Sequence, residues 1–445
     1  MKNFRILLFF FLFLFSQNSF SAVMTLPHKF VELSNGLRLY MVKYPSPGLI
    51  AYHIPVRVGS RDETEKGKTG FAHFFEHLMF RGTKNILGNH FRDRYSTLGA
   101  SDSAYTSDDL TGYHGEVATK NFPKILELEA DRFQNLSFPE PPFKDEAGAV
   151  LGEYNKNAAR PSFMMEELIL DTAFLMHPYK HSTMGYKEDI YNYKNMYKDA
   201  WNFFQQYYRP ENVSIVVVGD VDFKKIEKDV KRLFGNWNPS PKEKNKIPEE
   251  PEQKEPRTAE KKIDAPIQTQ INIAYKIPAF STKEKVAASL TIAADIFLSE
   301  VSEFQKKYLF EKQWIDQVSA PYFDHKDPFI WQIQLQVTSA GNAHREEIIS
   351  AVTSIFEKLD LKSIPSDLFE AAKKRQQNEV VLHWFTSAEV LAMQIAHYTS
   401  FEKDFGVLDR LVNNIKELKK EDIVEISKKY LKPSGRTIVQ LRGQS

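Results

Sequence analysis

Cysteine is absent from the 445 residues, which excludes disulfides, iron–sulfur clusters, thiol nucleophiles and lipidated cysteines. Any metal site must therefore draw on Asp, Glu and the 12 histidines. Excess charge of either sign is missing too: 59 Lys and Arg against 58 Asp and Glu leave +1. A chain so balanced has no global field with which to grip nucleic acid or an anionic membrane. Past the first two dozen residues, no apolar run reaches the roughly 20 residues that span a bilayer. With 42% hydrophobic and 26% charged residues, low-complexity disorder, collagen and coiled coil are excluded. The length is that of two or three globular domains.

The first residues form a processing segment. Lys2 and Arg5 supply a positive start, Ile6 to Phe15 is an unbroken apolar run, and Ser19-Phe20-Ser21-Ala22 offers small residues for cleavage. The apolar run is too short to span a bilayer, so residues 1–22 read as a secretory signal peptide, with a retained anchor as the other reading. The expected location is outside the cytoplasm, in the periplasm, where a chain without cysteine cannot mispair.

Residues 239–262 break the pattern. Pro239, Pro241, Pro248, Pro251 and Pro256 stand among Lys and Glu with almost no apolar residue. Such a segment cannot bury a face and is expected to be an extended linker. It separates an N-terminal domain, 23–238, from a C-terminal one, 263–445. The two resemble each other. Tyr208-Arg209-Pro210 precedes the apolar run Ser214 to Gly219, and Tyr430-Leu431-Lys432-Pro433 precedes Arg436 to Leu441, with the prolines 223 apart. Each domain opens with a strand-like stretch, Leu37 to Met41 after the turn Ser34-Asn35-Gly36, and the alternating Ile267, Thr269, Ile271, Ile273 and Tyr275. Helical stretches are expected at 121–136, 143–158, 284–312 and 366–380. Strands mixed with long helices point to an α+β fold, built by duplication.

The chemistry-bearing stretch is His73-Phe74-Phe75-Glu76-His77. On a helix, residues four apart share a face, so His73 and His77 can direct both imidazoles at one ion. Glu76 lies on the flank of that face, where it can reach a water without binding the metal. A catalytic zinc takes three protein ligands and keeps a fourth position open. Glu153 is the candidate third ligand, on an expected helix from Phe143 to Asn157 that starts after Pro141-Pro142 and ends before Arg160-Pro161. Glu146, seven residues earlier on the same face, could hold a ligand histidine by hydrogen bond. His53, His90, His114, His325, His383 and His397 lack partners at ligand spacing and are expected to be core or surface residues.

These residues resemble a known family. Gly59-Ser60-Arg61-Asp62-Glu63, followed by Gly70-Phe71-Ala72-His73-Phe74-Phe75-Glu76-His77-Leu78-Met79-Phe80-Arg81-Gly82-Thr83, looks like the inverted-zincin signature of the insulinase/pitrilysin peptidases, which include the mitochondrial processing peptidase. In that family a glutamate about 76 residues past the second histidine completes the zinc site, and Glu153 is 76 past His77. The stretches Tyr105 to Tyr113, His177-Pro178-Tyr179, Tyr208 to Asn212 and Val218-Gly219-Asp220 also resemble family blocks. The resemblance implies two homologous domains, each a mostly antiparallel sheet backed by helices. It also implies one Zn2+ held by His73, His77 and Glu153, with Glu76 as general base and Glu146 behind the ligands. Such chains usually pair as a clamshell around a peptide chamber. The implied activity is a zinc endopeptidase acting on peptides or unfolded segments, with a non-catalytic scaffold of the same family as the alternative.

Two departures stand out. The family's Asn-Ala ahead of Thr-Ser is here Ser103-Ala104, so the substrate-binding strand is expected to comprise Ser103, Ala104, Tyr105 and Thr106. The family's second domain carries an Arg and a Tyr before a Val-Ser-Ala-like strand. Aligning on Val318-Ser319-Ala320 puts Leu309 or Phe310 at the Arg position and Asp316 at the Tyr position. The resemblance is thus to a zinc subunit whose Arg and Tyr come from a homologous partner; a homodimer is the other assembly to consider.

Overall fold

A computed structural model of the chain describes residues 25–88, 90–239 and 245–444. The expected signal segment lies outside the described residues. Two sheets organise the molecule. The first contains β1 (His28–Glu32), β2 (Arg38–Lys43), β3 (Leu49–Val56), β4 (Ser103–Thr106), β5 (Thr111–Ala118) and β6 (Ser214–Gly219), in the order β1-β2-β6-β3-β5-β4. The second contains β7 (Arg257–Lys262), β8 (Thr269–Ile277), β9 (Ile315–Ser319), β10 (Phe329–Val337) and β11 (Arg436–Arg442), in the order β7-β11-β8-β10-β9.

The duplication is visible strand by strand. In the first sheet β2 and β6 run parallel, and every later neighbour is antiparallel. In the second, β7 and β11 run parallel and the rest are antiparallel. Thus β2-β6-β3-β5-β4 and β7-β11-β8-β10-β9 are one arrangement used twice, with β1 added at one edge. The expectation of two homologous α+β domains, each a mostly antiparallel sheet backed by helices, is met.

Local sequence explains the strands. β6 is Ser-Ile-Val-Val-Val-Gly, buried along its whole length. Ile215 and Val217 enter the core behind the first sheet, and Val216 and Val218 the cluster in front of it. β-Branched side chains on both faces suit such a doubly covered central strand. β8 and β10 alternate, sending Ile271, Ile273, Tyr275, Trp331, Ile333 and Leu335 into the second core.

Each domain lends a helix to the other. The helix Pro161–Ala173 packs Met165, Ile169 and Leu170 against Ala274, Val439 and Leu441 of the second sheet. Reciprocally, the helix Ala388–Phe401 sets Leu391, Ala392 and Ile395 against Ala51, Val216 and Val218 of the first. This exchange buries apolar surface on both sheets between the domains.

The linker expectation of 239–262 runs too far. Residues Arg257–Lys262 form β7, which pairs with β11 in spite of its exposed charges because its backbone completes the sheet edge. The preceding residues are also tied down. The Glu250 carboxylate accepts the backbone N–H groups of Leu175, Met176 and His177 and the Lys276 ammonium. The helix expected over 284–312 is also corrected: Val286–Leu298 stops at Ser299, and Ser302 caps a new short turn by accepting from Gln305 N. A π-helical turn, Lys306–Glu311, follows.

Candidate metal centre

The histidine pair sits on the helix Phe71–Leu78, whose Phe71, Ala72, Phe74, Phe75 and Leu78 are buried. Phe74 stacks on Tyr193 with ring centroids 4.6 Å apart, and Phe75 packs on Tyr208 at 4.7 Å. That aromatic anchorage turns His73, Glu76 and His77 to the opposite side. The helix begins at Gly70, whose φ of +78° only glycine adopts easily; a Cβ there would lie 2.1 Å from the Met184 carbonyl oxygen. No N-cap side chain follows it. Instead the buried Glu63 carboxylate accepts Gly70 N–H at 2.5 Å and Ala72 N–H at 2.7 Å, satisfying two of the donors at the helix start.

The third candidate ligand comes from the helix Glu140–Ala158, which begins three residues earlier than expected and holds both prolines in its first turn. Phe143, Glu146, Ala147, Val150 and Tyr154 bury one face, and Glu153, two turns past Glu146, comes to the histidines. His73 Nε2 lies 3.8 Å and His77 Nε2 3.5 Å from Glu153 Oε2. One ligand atom from each of the three lies within 4.8 Å of the others, the one such group of three donors among the described residues.

The surroundings prepare these groups for a cation. Burial, then the neighbouring His77, lowers the His73 pKa to about 3, so its imidazole is neutral. His77 Nδ1 is 2.8 Å from Glu146 Oε1. Since a buried carboxylate accepts, Nδ1 carries the proton and Nε2 keeps its lone pair. Glu146, 3% exposed, is also ion-paired to Arg81. Two imidazole nitrogens and a carboxylate form a donor set that zinc accepts, with a position left open.

Glu76 stands beside this group. Its Oε2 accepts from Thr106 Oγ1 at 2.6 Å, its one hydrogen bond among the described residues. Burial raises its pKa, against the hydrogen bond from Thr106. Thr106, with Ser103, Ala104 and Tyr105, forms β4, the edge strand of the first sheet. The expected substrate strand therefore does border the site, but the Thr106 hydroxyl is spent on Glu76. A cavity of about 600 Å³ holds His73, Glu76, His77, Glu153 and the side of β4.

Leu309 and Phe310 lie in the π-helical turn, Phe310 being 55% exposed, and Asp316 lies on β9. No donor stands at those positions. Sequence reasoning missed Thr106 as the partner of Glu76, Glu63 as the helix cap and Arg81 as the partner of Glu146. Arg81 lies four residues past His77, a spacing that could have flagged it. His325, expected to be a core or surface residue, is buried and contacts Asp108 across the domains with its Nε2 at 3.0 Å.

Residues 50–187 match the family model described as insulinase (peptidase family M16), and residues 195–376 match the one described as the peptidase M16 inactive domain. The chain belongs to the insulinase family, M16. The zinc protease PqqE of Helicobacter pylori is 28% identical over 421 residues, which is 93% of this chain and 93% of that one. A crystal structure of a protease from Helicobacter pylori, also 28% identical, superposes with a TM-score of 0.85 over 94% of this chain and 100% of the other. A probable mitochondrial-processing peptidase subunit beta of Schizosaccharomyces pombe is 29% identical over 212 residues, 47% of this chain and 45% of that one. The insulinase match contains all four of His73, Glu76, His77 and Glu153. Within the M16 family, relatives of this chain thus carry the name zinc protease.

Proposed function

We propose that this chain is a zinc-dependent endopeptidase hydrolysing peptides or unfolded polypeptide segments, and the catalytic subunit of a dimeric clamshell. In this reading 23–238 is the metal-binding peptidase domain, and the homologous domain begins at β7. The chain is exported to the periplasm by its N-terminal segment. The observation that carries the reading is the meeting of His73, His77 and Glu153 in one cavity, with Glu76 beside them and free of the ligand set.

His73 Nε2, His77 Nε2 and the Glu153 carboxylate would hold one zinc ion, which would supply polarisation of the scissile carbonyl and a water acidified towards neutrality. Glu76 takes that water's proton. Thr106 occupies Oε2, so Oε1 receives it, and the same carboxyl then delivers it to the leaving amine nitrogen. Glu146 and Arg81 hold His77 in the tautomer that ligates. β4 offers its open backbone edge to an extended substrate, giving affinity with little sequence choice. Neither Leu309, Phe310 nor Asp316 can donate to the developing oxyanion, and one such donor is typically worth about 10²–10³ in rate. A homologous partner supplying Arg and Tyr completes the site in this account.

The test is hydrolysis of an unstructured peptide by the purified chain before and after chelation. Activity should vanish with a zinc chelator and return when one equivalent of zinc is added. Activity indifferent to chelation would contradict the proposal. A chain without zinc or hydrolysis would favour the scaffold reading.

A further inference from the structure

The second sheet has two unlike faces. One buries Ile271, Ile273, Trp331, Ile333 and Leu335. On the other, β8 presents Gln270 and Asn272 while β10 presents Gln332, Gln334 and Gln336, by strict alternation with the buried set. Register places Gln336 between Gln270 and Gln317, and Gln334 between Asn272 and Ser319. The helix Pro161–Ala173 covers the apolar end of this face, at Ala274, Ile330, Val439 and Leu441. The amides are left as the floor of a cavity of about 660 Å³. Asn272 Nδ2 donates to Gln332 Oε1 at 3.1 Å. The side chains of Gln270, Gln317, Gln334 and Gln336 make no hydrogen bond within the chain among the described residues.

We infer that this amide floor binds a segment of the substrate polypeptide rich in uncharged polar side chains (Ser, Thr, Asn, Gln), an inference that rests on the peptidase reading above. Continuity is the first ground. Tyr105, Ser162 and Glu166 line both this cavity and the one holding the histidines, so an extended chain lying along β4 runs on over the amides. Spacing is the second. Gln332, Gln334 and Gln336 recur every second residue, about 6.6–6.8 Å, the interval at which an extended peptide projects alternate side chains.

Chemistry is the third. A primary amide donates and accepts, so it can pair with hydroxyl, amide and backbone groups alike. An apolar side chain over the floor leaves amides unpaired in a confined space. A charged one finds no counter-charge on the floor itself. Of the acids lining the cavity, Asp108 is engaged by Ser60 and His325, Asp109 by Tyr179 and the backbone N–H of Lys326, and Asp324 faces His397 at 3.6 Å, while Glu166 stands at the junction with the histidine cavity and not on the amide floor.

The test is fluorescence anisotropy on the full-length Glu76→Gln chain with two labelled unstructured peptides of equal length and net charge. One carries a Ser/Thr/Asn/Gln segment, the other a Leu/Val segment. The polar peptide should bind about tenfold more tightly. The double substitution Gln334→Leu with Gln336→Leu should erase or invert that preference while the thermal unfolding midpoint stays near that of the parent. Equal or tighter binding of the apolar peptide to the parent overturns the inference without any floor variant, as does binding of neither peptide. An unchanged preference in a folded double variant overturns it too. Failure of the peptidase reading shows separately, as absent hydrolysis of the polar peptide by the unsubstituted chain despite tight binding.

Discussion

Glu146 illustrates how much of the site lies behind its ligands. It accepts from His77 Nδ1 at 2.8 Å and pairs with Arg81, so it fixes which imidazole nitrogen faces the candidate metal position. Glu146→Ala should weaken zinc binding about 10–100-fold, read by competition against a chelating dye; unchanged affinity would contradict this positioning role. His73, Glu76, His77 and Glu153 were legible in the sequence because helical periodicity fixes which residues share a face, and the family resemblance supplied the separation of the two helices. The expectation for Thr106 concerns its backbone in the substrate strand and says nothing of its hydroxyl. Its hydrogen bond to Glu76 joins a strand to a helix 30 residues away, and no local period encodes that meeting.

Strands and helices were legible where burial is periodic. β6 and β11 fall where their apolar runs stand, and the alternation in β8 names its buried face. β7 was not legible, because Arg-Thr-Ala-Glu-Lys-Lys has the composition of a linker. It becomes a strand through backbone pairing to β11 alone, a partner far along the chain. The connection between β9 and β10 carries a second hidden feature, the pair of His325 and Asp108 across the domains.

Burial opposes both charges of that pair. The mutual hydrogen bond outweighs it, raising the His325 pKa above 6.5 and lowering that of Asp108 below 3.8. A raised histidine stabilises fully below its unfolded value and loses that contribution as pH climbs through the folded one. A depressed aspartate stabilises above its unfolded value and loses that contribution as pH falls through the folded one. The pair therefore contributes most between pH 3.8 and 6.5. His325→Gln, which keeps a donor without the charge, should cost about 1 kcal/mol at pH 5.5 and less at pH 8.5, measured by denaturant unfolding. An equal cost at both pH values would contradict the charged pair.

Taken as a whole, the molecule is one sheet pattern used twice and bound together by exchanged helices. The exchange covers the front of β6 and β3 on one side and the apolar end of β8 and β11 on the other. The first domain carries the candidate metal donors, and the second offers an amide-rich face beside them and no oxyanion donor at Leu309, Phe310 or Asp316. In the proposed assembly a second chain makes up that deficit. Adding a homologous chain that bears the Arg and Tyr should raise peptide turnover by about 10²-fold or more. Full turnover by the isolated chain would contradict dependence on a partner.

The duplication was legible from two proline-led strands 223 residues apart. The helix exchange was not, because nothing in an amphipathic helix says which sheet it will cover. Everything proposed about catalysis returns to one carboxylate standing beside, and outside, a set of three ligands. The decisive measurement is zinc content and peptide hydrolysis on the same preparation of Glu76→Gln. The account predicts one zinc per chain, as in the unsubstituted protein, with hydrolysis reduced about 10²–10⁴-fold. Hydrolysis at the unsubstituted rate, or a folded protein that binds no zinc, would contradict it.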